Sequence, residues 1–64
     1  MKYDLPNSDI EHLINEWIHS ERDRQILRRR LIDGIKFEDL AEEFELSVRY
    51  IKTVVYKGEK KIFK

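Results

Sequence analysis

The residues best suited to chemistry follow Ser47, a residue type that favours the start of a helix. Arg49 carries a planar guanidinium group, which can donate two parallel hydrogen bonds to O6 and N7 of a guanine. Thr53, one helical turn later, offers a base edge its hydroxyl and methyl groups, and Val48 offers apolar contact to a thymine methyl group. We therefore expect any base contacts of this chain to come from Val48, Arg49 and Thr53.

Other residues near this segment suit phosphate oxygens, which position a protein on DNA without carrying sequence information. Tyr50, Lys52 and Lys57 can donate hydrogen bonds from the same helix, and Ser47 lies at its positive end. Lys36 lies just before the helix that comes earlier in the chain, and it could reach the DNA backbone. The alternative interpretation is a plain surface lysine. We expect phosphate contacts from Lys36, Ser47, Tyr50, Lys52 and Lys57.

Two closely spaced apolar stripes predict the helices that would position these side chains. The first follows the i, i+3, i+4, i+7 spacing of an amphipathic helix, with Phe37, Leu40, Ala41 and Phe44. The second contains Val48, Ile51, Val54 and Val55. Only Glu45 and Leu46 separate the first stripe from Ser47, so the two helices should cross steeply, as in a helix-turn-helix at about 37–57.

The whole chain is predicted to be one all-α domain, residues 1–64, of four short helices whose last two form the helix-turn-helix. An extended lead-in covers residues 1–7, and Ser8 with Glu11 is predicted to form a capping box. Ser20 is a second expected cap, and Gly34 suits a left-handed helix end. The predicted helices are about Asp9–His19, Glu21–Ile32, Phe37–Phe44 and Val48–Ile62.

Three positions conflict with this pattern. Glu45 stands in the tight turn where a left-handed glycine is common, at a cost of about 1 kcal/mol. Gly58 lies inside the fourth predicted helix, where it either permits close approach of another helix or ends this helix early. Lys36 is also a poor N-cap for the third helix.

The 64 residues have a net charge of zero, but the charge is divided unevenly. Met1 to Leu46 contain 7 Lys and Arg against 12 Asp and Glu, a net charge of −5. Ser47 to Lys64 contain 6 Lys and Arg against 1 Glu, a net charge of +5. A local basic patch of this kind favours nucleic-acid binding, and a solvated basic tail is the alternative.

The apolar stripe of the first helix is expected to join the core, with Trp17 as a residue to watch. In so small a domain some of Trp17, Ile62 and Phe63 could stay exposed and form a dimer contact. Arg28, Arg29 and Arg30 are expected to form a solvated face with one ion pair, and a second phosphate site is the alternative.

Composition argues against several other functions. The chain has no cysteine and no apolar run near the roughly 20 residues that span a membrane, so we expect a cytoplasmic location and no membrane contact. His12, Glu16 and His19 have a spacing that could hold a metal, but no further cysteine or histidine completes the set. We expect no metal, no cofactor and no catalysis.

From Glu21 onward the chain resembles region 4 of bacterial sigma factors. The resemblance is carried by the segment 21–27, by Arg30 and Gly34, by the segment 37–44, and by Leu46, Ser47, Val48, Ile51, Lys52 and Tyr56, which are similar to the extracytoplasmic-function type. Related response-regulator and phage regulator domains share much of this pattern. In the family, the positions of Val48, Arg49, Tyr50, Lys52 and Thr53 contact DNA.

The resemblance implies a stand-alone helix-turn-helix regulator of transcription from a bacterium or phage, because the chain has no room for the region that melts the −10 element. The partners expected are double-stranded DNA, a second copy of the chain and RNA polymerase. The alternative function is a protein-interaction module that docks on RNA polymerase or on another regulator, suggested by the acidic first part of the chain.

Overall fold

The computed structural model describes residues 6–63, which form four helices and no strand. The helices are α1 Asn7–Trp17, α2 Glu21–Leu31, α3 Phe37–Phe44 and α4 Val48–Ile62. The predicted all-α class is therefore confirmed, as are the predicted bounds of α3 and α4. Helix α1 begins and ends two residues before its predicted bounds, and α2 ends one residue early. Asn7 belongs to α1 rather than to the predicted lead-in, whose residues 1–5 lie outside the described residues.

The predicted capping box at Ser8 is wrong. Pro6 holds the N-cap position of α1, with φ −60° and ψ 153°. Its carbonyl oxygen accepts hydrogen bonds from the amides of Asp9 and Ile10 at 3.0 and 3.1 Å. The proline ring fixes φ near the value needed to enter a helix, and the proline has no amide of its own to satisfy. Ser8 consequently lies inside the first turn, and α1 has no side-chain cap.

The two other predicted serine caps are confirmed. Ser20 Oγ accepts a hydrogen bond from the amide of Asp23 at 3.4 Å, and Ser47 Oγ accepts one from the amide of Tyr50 at 3.1 Å. Gly34 adopts the predicted left-handed conformation with φ 71°. These residues set the ends of α2 and the start of α4.

Helix α4 is central to the packing, since it contacts α1, α2 and α3. The core is made of aliphatic side chains from all four helices, and those most fully buried are Ile14, Ile26, Leu27, Leu40, Ile51 and Val55. Helix α4 also runs without interruption through Gly58, which is buried. Of the two predicted roles for Gly58, close approach of another helix is therefore the one observed, and that helix is α2.

Trp17 is 43% exposed, while Ile18 beside it is only 7% exposed. The reason is that α1 ends at Trp17 and Ile18 is extended, so the chain turns its next apolar side chain into the core. Ile62 is buried at 8% exposure and Phe63 packs partly against the core. Of the three residues considered for an exposed contact, Trp17 is thus the most exposed.

Three residues, Glu45 to Ser47, connect α3 to α4. Glu45 is left-handed with φ 55° and ψ 46°, which is the conformation that the sequence predicts for this position. The amide of Leu46 donates to the carbonyl oxygen of Ala41 at 2.9 Å, and this bond closes the end of α3. Ala41 itself is buried, and it belongs to the same core as Ile51 of α4.

Candidate nucleic-acid interface

The outward face of α4 carries four exposed side chains along its centre. Successive residues of a helix are about 100° apart, so Arg49, Thr53, Tyr56 and Lys60 fall within one narrow stripe. All four are exposed, whereas Ile51, Val54, Val55, Gly58 and Ile62 form the opposite, buried side of the same helix. The fold therefore leaves a polar and basic strip of α4 open to a partner.

The candidate base-reading residues are not equivalent on this strip. Arg49 is exposed at the start of α4. Thr53 is also exposed, but its hydroxyl donates to the carbonyl oxygen of Arg49 at 3.1 Å. Its methyl group and its oxygen lone pairs are what remain for a ligand. Val48 is half-buried and packs against the core, so only its edge is open.

The flank of α4 that faces α2 carries Tyr50, Lys57 and Lys61. Arg22 of α2 donates a 2.5 Å hydrogen bond to the Tyr50 hydroxyl, and its guanidinium carbon lies 5.1 Å from the centre of the tyrosine ring. Arg22 was not among the predicted contact residues. It lies 28 positions from Tyr50, and no local sequence pattern links the two.

The opposite flank, toward α3, is organised around the ring of Phe37. Lys52 Nζ lies 5.7 Å from the ring centre, and the guanidinium carbon of Arg30 lies 4.1 Å from it. Tyr56 meets the same ring edge-on, with 6.1 Å between ring centres. Cation–aromatic contacts of this kind hold a lysine in place without neutralising its charge. Lys52 is thus positioned while still exposed.

The remaining predicted phosphate contacts lie at helix starts. Ser47 uses its oxygen to cap α4, which leaves its hydroxyl proton for an outside acceptor. Lys36 precedes α3 as an exposed residue with no capping bond from its side chain. Its neighbour Phe37 is the ring that Lys52 approaches, so both lysines lie on the α3 side of α4.

Arg28, Arg29 and Arg30 form more contacts than the predicted solvated face with one ion pair. Arg28 donates to Asn15 Oδ1 at 2.6 Å, Arg29 to Glu43 Oε1 at 2.8 Å and Arg30 to the carbonyl oxygen of Ile35 at 2.9 Å. All three are half-buried. They tie α2 to α1, to α3 and to the intervening loop, which gives them a structural role. The alternative of a second phosphate site stays a prediction.

No protein-family model, curated protein or solved structure matches this chain. The resemblance to region 4 of sigma factors therefore stays a prediction that depends on the residues quoted for it.

His12, Glu16 and His19 do not lie on one helix as the metal spacing requires, because α1 ends before His19. His12 Nε2 lies 3.9 Å from Glu16 Oε2 on the helix, but His19 lies beyond the last helical residue, Trp17. Within residues 6–63, no group of three or more His, Cys, Asp or Glu side chains is arranged to hold a metal. In the same range, no helix is long and apolar enough to cross a bilayer.

The exposed face of α4 includes more residues than the predicted contacts. Tyr56, Lys60 and Lys61 are also exposed on α4, yet none of them was assigned a base or phosphate contact from the sequence. The signal for Tyr56 and Lys60 was present, because they follow Arg49 at i+7 and i+11 and share its side of the helix.

Proposed function

We propose that this protein is a sequence-specific DNA-binding regulator of transcription in the cytoplasm of a bacterium, encoded by the host or by a phage. In this proposal α3 and α4 form a helix-turn-helix and α4 enters the major groove. The observation that carries it is the exposed strip from Arg49 to Lys60, which has basic residues on both flanks. The resemblance to region 4 of sigma factors supports the same proposal.

The proposed mechanism assigns direct reading to the start of α4, since the N-terminal residues of a recognition helix face the bases. Arg49 pairs with a guanine through two parallel hydrogen bonds. The Thr53 methyl group and the open edge of Val48 contact thymine methyl groups. Lys52, Tyr50 and Lys57 hold the phosphates on either side of α4, with Ser47 and Lys36 at the helix starts.

The acidic surface of α3 restricts how the domain can lie on DNA. Glu38, Asp39, Glu42 and Glu43 are all exposed on this helix. Phosphates repel these carboxylates, two of which, Glu38 and Asp39, lie in the first turn of α3, so close approach of α3 to a strand is unfavourable except at Lys36, which precedes that turn. A single module of this kind buries roughly 600–1,000 Å² on DNA. We therefore expect weak binding by a monomer and stronger binding with a second copy or with RNA polymerase.

The test compares Arg49→Ala with Lys57→Ala on duplexes selected from a random pool by the unchanged protein. Loss of a bidentate base contact costs about 1–3 kcal/mol. Arg49→Ala should therefore weaken binding to the selected site roughly 5- to 150-fold while non-specific binding changes little. Lys57→Ala should weaken both to the same degree. Failure of the unchanged protein to bind any duplex at low salt would exclude the proposal.

The second candidate is a protein-interaction module, and Trp17 is the observation that favours it. This large side chain is 43% exposed, and the acidic face of α3 provides further surface. The discriminating measurement is capture from nuclease-treated host lysate by the unchanged protein and by a variant with Arg49→Glu and Lys52→Glu. RNA polymerase retained by the double variant would favour docking over DNA reading.

A further inference from the structure

We infer that the groove between α2 and α4 holds one strand of the DNA backbone, and that Arg22 and Lys61 are phosphate contacts in addition to those named above. This inference rests on the proposed function. The groove has a volume of about 290 Å³ and runs from Ser20, at the start of α2, to Lys61, near the end of α4. His19, Tyr50 and Lys57 also line it.

The floor of the groove is buried and apolar. Leu27, Val54 and Gly58 line it, and all three are buried. The polar groups stand along the rim, where Tyr50, Lys57 and Lys61 follow one another on the same side of α4. From Tyr50 to Lys61 the helix rises about 16 Å at 1.5 Å per residue. Cations spread over this length can contact more than one phosphate of the same strand.

Charge favours an anion in this groove. Lys57 and Lys61 lie on the rim, and Arg22 reaches it through its bond to the Tyr50 hydroxyl. The carboxylate on the rim is Asp23, and Arg22 Nε lies 3.4 Å from its Oδ1. Three cations against one carboxylate leave a charge of +2 when His19 is neutral. The side chain of Arg22 is 46% exposed, so its guanidinium group is still open to a ligand.

The dimensions of DNA explain why this anion should be a backbone strand. An α-helix with its side chains is about 10–12 Å across and the major groove is about 12 Å wide. A helix inserted there meets the sugar–phosphate walls on both sides. The wall on the α3 side would meet Lys52 and Lys36. The wall on the α2 side would enter the groove and meet Arg22, Lys57 and Lys61.

The test measures fluorescence anisotropy of the full chain with a short random-sequence duplex over a series of salt concentrations. The slope of log K against log salt concentration is negative, and each lost phosphate contact makes it shallower by about 0.9. Arg22→Gln and Lys61→Gln should each produce this change, and Arg22→Lys should restore the slope because it keeps the charge. None of the three should alter the preference for the selected site over other sequences.

Ser8→Asp is the matched control, because it lowers the net charge by the same amount as Lys61→Gln. Ser8 lies in the first turn of α1, about 14 Å along the helix from the end of α1 that borders the groove. Its slope should equal that of the unchanged protein. Urea unfolding of each variant confirms that a changed slope does not come from loss of folding.

Three results would overturn the inference, and the first two leave the proposed function standing. If Lys52→Gln makes the slope shallower but Arg22→Gln and Lys61→Gln do not, the protein binds DNA without using this groove. If inorganic phosphate displaces DNA more than chloride does at equal ionic strength, and Lys61→Gln removes that difference, the groove is a small-anion site instead. If the unchanged protein binds no duplex, both the inference and the proposed function fail.

Discussion

Gly58 of α4 lies so close to Leu27 of α2 that a Cβ atom at position 58 would be 2.6 Å from Leu27 Cδ1 and 2.7 Å from Cδ2. Leu27 is fully buried, so its side chain has little room to withdraw. The glycine therefore sets the distance between α2 and α4. The same approach forms the floor of the groove that we assign to DNA.

Gly58→Ala should destabilise the protein, although alanine is the better helix former. The gain in helix propensity is about 1 kcal/mol, whereas overpacking a core costs about 1–3 kcal/mol. We expect a net loss of roughly 1 kcal/mol, measured by urea unfolding. Leu27→Ala removes the clashing atoms. In that background, adding Gly58→Ala should raise stability relative to Leu27→Ala alone. A stabilising Gly58→Ala in the otherwise unchanged protein would contradict the packing described here.

Glu45→Gly should stabilise the protein, since Glu45 is exposed and left-handed with φ 55°. A residue with a Cβ atom pays roughly 1–2 kcal/mol in this conformation, and glycine does not. Part of that gain is lost because glycine is more flexible in the unfolded chain, so we expect about 0.5–1 kcal/mol. Glu45→Ala is the control, because it removes the carboxylate but keeps the strain. Equal melting temperatures for the two variants would contradict the explanation.

Ser47→Ala and Ser8→Ala form a matched pair. Ser47 Oγ accepts the amide hydrogen bond of Tyr50, and loss of such a cap costs typically about 1 kcal/mol. Ser8 is inside the first turn of α1, which has no side-chain cap, so its replacement should change stability by less than about 0.5 kcal/mol. Thermal unfolding followed by circular dichroism measures both. A larger loss of stability for Ser8→Ala would instead support the capping box that the sequence predicts at Ser8.

Asp23→Asn should strengthen DNA binding a few-fold at low salt, because it removes the carboxylate from the rim of the groove. It should also cost about 0.3–1 kcal/mol of stability, since Asp23 lies in the first turn of α2, where a negative charge is favourable. Asp33→Asn gives the same change in net charge just beyond the other end of α2 and should leave affinity unchanged. Anisotropy with a random-sequence duplex distinguishes a local effect from one of net charge.

The helices were largely predictable because their apolar spacing and their serine caps are local signals. The start of α1 was not, because the spacing of Ser8 and Glu11 matches a capping box, whereas Pro6, with its fixed φ and no amide, occupies the N-cap position. The exposure of Trp17 depends on where α1 ends, and the spacing of apolar residues does not predict the last residue of a helix.

The candidate interface was predictable only along α4. Arg49, Lys52, Thr53 and Lys57 lie on one helix, and their exposure follows from its period. The contact between Arg22 and Tyr50 joins two helices, as does the stacking of Arg30 on Phe37. Such pairs depend on how the helices pack in three dimensions, which spacing along the chain does not encode.

The two sides of helix α4 have different roles, since one packs in the core and the other is open to a partner. The buried side, with Ile51 and Val55, contacts all three other helices, while the exposed side takes no part in the core. Under the proposed function, substitutions at Arg49 and Thr53 should therefore change which sites the protein selects without new folding requirements, whereas Tyr56 also contacts the Phe37 ring. A library randomised at Arg49 and Thr53 should retain mostly folded members, which would make this small domain a practical scaffold for retargeting.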